Sequence, residues 1–437
     1  MRRDGFTFSS LIPMHGFVRF ARSARRVRST SFAGLALSTV VLSGCGSDSA
    51  TGLQPFTGPA LSVVGKGSMT ARYMAEVWTR GNVSYTSTWG ARSANALSAV
   101  GNAVHIWRID GATPVLADSL IVENATTLGD IQVSDDGKLL VVATERQNGS
   151  IVIYGLTDPL KPTRITRYQT ANTTSGVHTA EVARVNGTLY AFLSVDAPSA
   201  RLVIVDLSDP ANPREVLARG VGATIHDVFV RDGLLFTALW NDGTTIWDIG
   251  GGGKGGSPSN PVQIGNIRTA AWTASSGGIY AHNVWWFHDA TGGANAKRFM
   301  FVGEEAPGTG GSVLNSSNGD VHVVDVADMA APKEVAFYHV DGAGTHNFSV
   351  DEQRGILYAA YYNAGVRALD IRGDLSTCSA AQKSTDGRCD LRKMGRELAA
   401  GLQSNGGVFV WGVHFDGNYV YASDMYQGLW KLAAADR

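Results

Sequence analysis

The chain has 437 residues, with 37 basic against 38 acidic side chains, 44% hydrophobic and 17% charged residues, and 52 glycines. Charge is too sparse for a disordered chain, a net charge of −1 gives no footing for phosphate neutralisation on nucleic acid, and three cysteines cannot staple a disulfide-dense scaffold. Glycine stands well above its usual share of about 7%, which points to many tight turns.

Residues 1–44 hold seven arginines and one acid, Asp4. An apolar run, Ser31 to Val41, follows. It is shorter than the roughly 20 residues that a membrane-spanning helix needs, and a basic stretch before a short apolar one reads as an export signal. Leu42-Ser43-Gly44-Cys45 resembles the lipobox of bacterial lipoproteins. The resemblance implies that Cys45 is lipidated and anchors the chain to a membrane. Gly46 rather than Asp after the cysteine implies the outer membrane or cell surface over the inner membrane. An ordinary signal peptide with an incidental cysteine is the alternative, and Met14 is an alternative start. The segment carries +6, so the remainder carries −7. Residues 45–60 are small and polar and read as a flexible tether. Residues 61–437 form the folded part.

That part repeats itself. The clearest copy is Leu202-Val203-Ile204-Val205-Asp206, followed by a turn and Pro213. Positions matching Asp206 fall at 108, 155, 248, 325, 370 and 433. Most intervals suit a four-stranded propeller blade of about 40–45 residues. The two long ones hold insertions, with Gly250–Asn260 and Glu305–Asn318 in the first and Cys378 to Cys389 in the second. Before each copy stands a hairpin, several with Asp-Gly or Asn-Gly at the turn, such as Asn186-Gly187 and Asp232-Gly233, residue pairs that tolerate positive φ. Short β-branched strands with no long helical period predict an all-β fold: a seven-bladed β-propeller of four-stranded blades. Residues 391–402 are expected to be a short helix in the last insertion, and Gly250–Gly256 a linker. The last unit lacks its fourth strand, so Leu61–Val64 is expected to supply it and close the ring.

Leu-Val-Ile-Val-Asp at 202–206 resembles the LVIVD repeat family of bacterial and archaeal cell-surface proteins, with degenerate copies from about residue 72 onward. The resemblance implies a propeller and an exported location. It supplies no catalytic residues.

Polar side chains cluster where the innermost strands begin: Glu76, Asp130, Glu181, His226, Asp227, His282, Asn283, His346 and Asn347. These are the candidate ligand-binding residues of a channel mouth. The favoured reading is structural, with a repeated His-Asp or His-Asn satisfying backbone groups. Contact with a ligand or metal comes second, since imidazole and carboxylate suit a transition metal. His178, His105, His322 and His414 read as local. Trp78, Trp89, Trp107, Trp240, Trp247, Trp285 and Trp286 are expected between blades. Cys378 and Cys389 are expected to form a disulfide in an oxidising compartment. No hydrolase, zinc-protease or phosphate-loop motif is present, so no catalytic residue, bound metal or cofactor is assigned. The expected role is a monomeric, lipid-anchored propeller that binds an envelope protein or glycan and no nucleic acid. The alternative is an exported, metal-assisted enzyme using His226, His282 and His346.

Overall fold

The computed structural model describes residues 56–436, apart from 93–99, 147, 272–276, 294–295, 308–316 and 404–406. The expected export segment, Cys45 and the tether up to residue 55 lie outside the described residues.

The chain forms seven antiparallel blades. Blade 1 comprises Met74–Arg80, Val83–Thr88, Ala103–Arg108 and Val115–Ile121. Blade 2 comprises Leu128–Val133, Leu139–Thr144, Ser150–Gly155 and Thr163–Tyr168. Blade 3 comprises Val177–Val185, Thr188–Val195, Arg201–Asp206 and Arg214–Arg219. Blade 4 comprises Asp227–Arg231, Leu234–Ala238, Thr244–Asp248 and Val262–Ile267. Blade 5 comprises Ala281–Trp286, Phe299–Glu304, Val321–Asp325 and Lys333–Tyr338. Blade 6 comprises Phe348–Asp351, Ile356–Ala360, Val366–Asp370 and Glu397–Gly401. Strands are lettered A to D outward from the axis. The A strands touch in order around the ring, blade 7 meeting blade 1.

Blade 7 takes strands A to C from Val410–Phe415, Tyr419–Asp424 and Gly428–Ala433, and strand D from Val63–Ser68. The register runs from Val63 opposite Leu432 to Ser68 opposite Gly428. The closing strand therefore begins two residues later than expected and runs further. Its pairing covers an edge that would otherwise present unpaired backbone groups.

The repeat motif is apolar throughout because each blade is buried on both faces. Val203 and Val205 pack with blade 2 residues such as Val141 and Ile153. Leu202 and Ile204 point the other way, into a cluster with Val228 and Leu235 of blade 4. The terminal aspartate holds the turn into strand D. Asp206 Oδ1 accepts from the Ser208 N–H at 2.8 Å, and Asp325 and Asp370 bond Ala327 and Arg372 in the same way. Such side-chain bonds to the backbone two residues on favour turns.

Two expectations need correction. Gly250–Gly256 is not a linker: it curls around Asp248, whose carboxylate accepts N–H groups of Gly250 (2.8 Å), Gly252 (2.8 Å), Lys254 (2.6 Å) and Gly256 (3.1 Å). These bonds hold the Asp248 pKa below the usual carboxylate range although burial opposes them. Residues 391–402 are not helical either. Glu397–Gly401 is strand D of blade 6, paired with Val366–Asp370. Glu-Leu-Ala-Ala favours helix by intrinsic propensity, but the open edge of blade 6 offers a full ladder of partners. Among the described residues, the insertion instead holds a 3₁₀ turn at Ala380–Gln382. Cys378 and Cys389 are disulfide-bonded, with Cα atoms 5.9 Å apart. Cys389–Asp390 runs parallel to strand D of blade 5, fixing the insertion there.

Candidate functional site

The A strands do not start smoothly. Their register slips at Ala75-Glu76, Gly129-Asp130, His178, His282 and Trp411. A bulge of this kind re-aims a side chain; in blades 4 and 6 the corresponding residues, His226 and His346, instead precede an A strand of regular register. Opposite this point, strand B carries a small residue in each pairing: Ser194 opposite Thr179, Ala238 opposite Asp227, Gly303 opposite Asn283 and Ser423 opposite Gly412. At Gly303 a Cβ would lie 2.1 Å from the end of the Asn283 amide, so a larger residue would displace that side chain.

All nine sequence-predicted residues line one cavity of about 140 Å³ on the axis. They form two levels. At the upper level, four imidazoles make an arc: ring centroids are 4.2 Å apart for His178–His226, 4.3 Å for His226–His282 and 4.1 Å for His282–His346. Trp411 ends the arc 4.6 Å from His346, and Trp240 stacks on His226. Deeper along the strands lie Glu76, Asp130, Glu181 and Asp227. Burial, then the neighbouring Asp130 carboxylate, lifts Glu76 and Glu181 well above the usual carboxylate range and Asp227 to about 7. Burial raises Asp130 itself.

His178 is a correction: it is not local but the blade 3 member of the arc. Glu181, which the sequence aligned with the histidines, lies three residues further down the same strand. The signal that would have found His178 is its Thr179 neighbour, which occupies the place of Asp227, Asn283 and Asn347.

Sequence reasoning also missed a second ring. Two residues after each small strand B residue, the chain presents Trp89, Glu145, Asp196, Trp240, Glu305, Tyr362 and Met425. Glu145 lies 3.4 Å from His178 Nδ1 and accepts the Trp89 indole N–H at 3.2 Å. Asp196 is 4.0 Å from the same His178 nitrogen. Burial opposes charge on His178, but Glu145 and then Asp196 outweigh it and raise its pKa to about 10. Glu305 Oε2 lies 3.8 Å from His226 Nε2 and 3.6 Å from His282 Nε2, and the Tyr362 hydroxyl donates to its other oxygen. Burial brings Glu305 to about 7. His346 Nδ1 is 3.5 Å from Glu76.

The bonding of backbone groups expected of the His-Asp and His-Asn pairs falls to the neighbours of the histidines. Asp130 Oδ2 accepts from the Ala180 N–H, Thr179 donates to the His226 carbonyl, and Ser87 donates to the Gly129 carbonyl. The Asn283 amide, in the orientation that satisfies both its ends, donates to the His346 carbonyl at 3.0 Å and accepts from Phe348 N–H at 3.2 Å. The imidazoles are left over. Nδ1 of His226, both nitrogens of His282 and Nδ1 of His346 are buried without a hydrogen bond. Each such group costs about 1–3 kcal/mol. Burial holds all three rings well below the usual imidazole pKa, with neighbouring imidazoles adding to the effect, so they are neutral at physiological pH.

His105 and His322 are local as expected, bonded to Ser119 and to Glu334. His414, expected to be local, lines the cavity beside Trp78. Trp107, Trp247 and Trp286 fill blade interfaces. Trp78, Trp89 and Trp285 line the cavity instead.

Fold and site together define a seven-bladed β-propeller with an asymmetric polar channel mouth. Residues 190–218 match the family model of the LVIVD repeat. No curated protein matches the chain. Among solved structures, it resembles the β-propeller domain of Cps50 (Swd1) from Myceliophteria thermophila at 12% identity and a TM-score of 0.53, covering 85% of this chain and 98% of that one. It also aligns with Sqt1 from Saccharomyces cerevisiae at 10% identity and a TM-score of 0.48, covering 83% of each chain. At such identity the likeness to the first concerns the fold alone.

Proposed function

We propose that this protein is an exported, lipid-anchored propeller of the cell envelope that binds an envelope protein or glycan at its channel mouth as a scaffold. One observation carries the reading: a rigid ring gathers Trp89, Trp411, four imidazoles and several carboxylates around one cavity. Aromatic faces with buried polar groups around them are what a specific binding site requires. The lipobox-like segment ending at Cys45 supports the location. Among the described residues no helix is long and apolar enough to cross a membrane. The test is capture from detergent-solubilised envelope and from purified envelope glycan. Wild-type protein should retain a component that a Trp89→Ala/Trp411→Ala variant releases. Equal capture by both would overturn the reading. Radiolabelled palmitate should enter the wild type and not Cys45→Ala.

A second reading, an exported enzyme acting at the same mouth, is favoured by the neutral imidazoles that no protein group satisfies. Turnover lost on replacing His226, His282 and His346 would support it.

A further inference from the structure

Glu305 follows strand B of blade 5, its N–H donating to the Tyr280 carbonyl at 3.0 Å. His226 precedes strand A of blade 4, its N–H bonded to the Ala238 carbonyl at 2.8 Å and its ring stacked on Trp240 with an interplanar angle of 17°. His282 sits on the bulge of blade 5 and is 2% exposed. These backbone anchors bring one donor atom from each residue within 4.8 Å of the others. We propose that His226, His282 and Glu305 bind a single divalent transition-metal ion of the zinc type.

Three observations carry this. The spacing is close to that of a metal site: ligand bonds of about 2.0–2.1 Å in a tetrahedron put donor atoms about 3.3 Å apart, and Glu305 Oε2 is already 3.6 and 3.8 Å from the two Nε2 atoms. The imidazoles are under-satisfied, since neither nitrogen of His282 makes a hydrogen bond and nor does Nδ1 of His226. The carboxylate is also oriented from behind: Tyr362 occupies Oε1 and leaves Oε2 toward the histidines. A partner of this kind fixes a metal ligand's direction. Two imidazoles and one carboxylate favour zinc, cobalt or nickel over magnesium and calcium, which prefer all-oxygen sites.

The neighbouring group of His178, Glu145 and Asp196 meets the same distance criterion but is satisfied internally, by the His178–Glu145 ion pair and the Trp89 indole. The metal belongs at the group that contains His282, whose two nitrogens are buried without a hydrogen bond. Three protein donors leave a coordination position free, and His226 and His282 both line the cavity. An incoming oxygen or nitrogen ligand could complete the sphere there. The site goes beyond the binding reading, because a scaffold could hold an envelope component without any ion.

The test is titration of the chelator-treated, folded chain with Co²⁺ and Zn²⁺. Wild-type protein should take up one Co²⁺ per chain with visible d–d absorption, and Zn²⁺ should displace it. Glu305→Gln, which keeps the side-chain shape, and His226→Gln should each weaken binding by more than about tenfold, and Tyr362→Phe by about tenfold with the spectrum retained. His288→Gln, on another surface, should bind as wild type, and circular dichroism of each variant reports folding. Failure of folded wild-type protein to bind either ion at micromolar concentration would overturn the proposal. So would unchanged affinity in both folded ligand variants. Envelope capture repeated in chelator keeps the binding reading separately testable.

Discussion

Replacing Glu397 tests how blade 6 is held together. Arg367 is completely buried, and its guanidinium bonds Glu397 Oε1 at 2.8 Å through Nη1. Nε and Nη2 of the same group have no hydrogen-bond partner, so Glu397 is the counter-charge. The carboxylate also accepts from the Tyr338 hydroxyl at 2.7 Å and from Arg392 Nε at 3.0 Å. It thereby ties strand D of blade 6 to blade 5 and to the insertion. Glu397→Ala leaves an uncompensated buried cation, which costs about 3–5 kcal/mol. With an unfolding entropy of about 2.1 cal/mol/K per residue over a propeller of this size, about 4 kcal/mol lowers Tm by roughly 5 °C. Glu397→Gln retains an acceptor for Tyr338 and should fall between. The double variant Glu397→Leu/Arg367→Met removes both charges and should recover most of the loss, because apolar replacement of a buried pair is often neutral. The assay is thermal unfolding followed by circular dichroism, with calorimetry on the same samples. A Glu397→Ala protein melting within about 1 °C of wild type would refute the reasoning, as would a double variant no more stable than the single one.

The His322 pair predicts a pH dependence. Burial opposes its charge, but Glu334 and Glu304 outweigh this and raise its pKa from 6.5 to about 10. The stabilisation is therefore complete below about pH 6.5 and lost as pH rises toward 10, by at least ~1 kcal/mol. Urea midpoints across that window should fall for wild type and flatten in His322→Gln; parallel profiles would argue against the pair. Asp248→Ala removes the acceptor of four loop N–H groups and should cost about 2 kcal/mol, with protease cleavage appearing between residues 250 and 256. An uncut loop of wild-type stability would show that the carboxylate is dispensable. A chain starting at Met69 lacks the strand that pairs with Gly428–Ala433 and should associate through the bared edge. Size-exclusion chromatography giving a monomer with unchanged melting would refute ring closure as a source of stability.

The strands, their turns and their number were legible because they rest on local chemistry. β-branched runs such as Leu202–Val205 specify a doubly buried strand, and Asn186-Gly187 and Asp232-Gly233 adopt the positive φ that a tight hairpin needs. The missing last strand could be read by counting. The second ring was not legible. Glu145, Asp196 and Glu305 share no motif with one another, and their equivalence appears only when each is counted from the small residue opposite a bulge. The short segment Glu397–Gly401 was misread because its local preference for helix is weaker than the hydrogen-bonding demand of an open blade edge.

The amino-acid pattern by itself determined an all-β ring of seven similar units, since each unit buries its faces only against the next. Tertiary structure decided what that ring presents at its axis. Bulges in blades 3 and 5 turn His178 and His282 inward beside His226 and His346, which precede their A strands, and the backbone bonding falls to Asp130, Thr179 and Asn283. Glu305 then meets His226 and His282 although it is 79 and 23 residues from them in the chain. A one-residue register shift is a backbone event with almost no sequence signature, yet it determines which side chain of a pair is bonded and which remains free for a ligand.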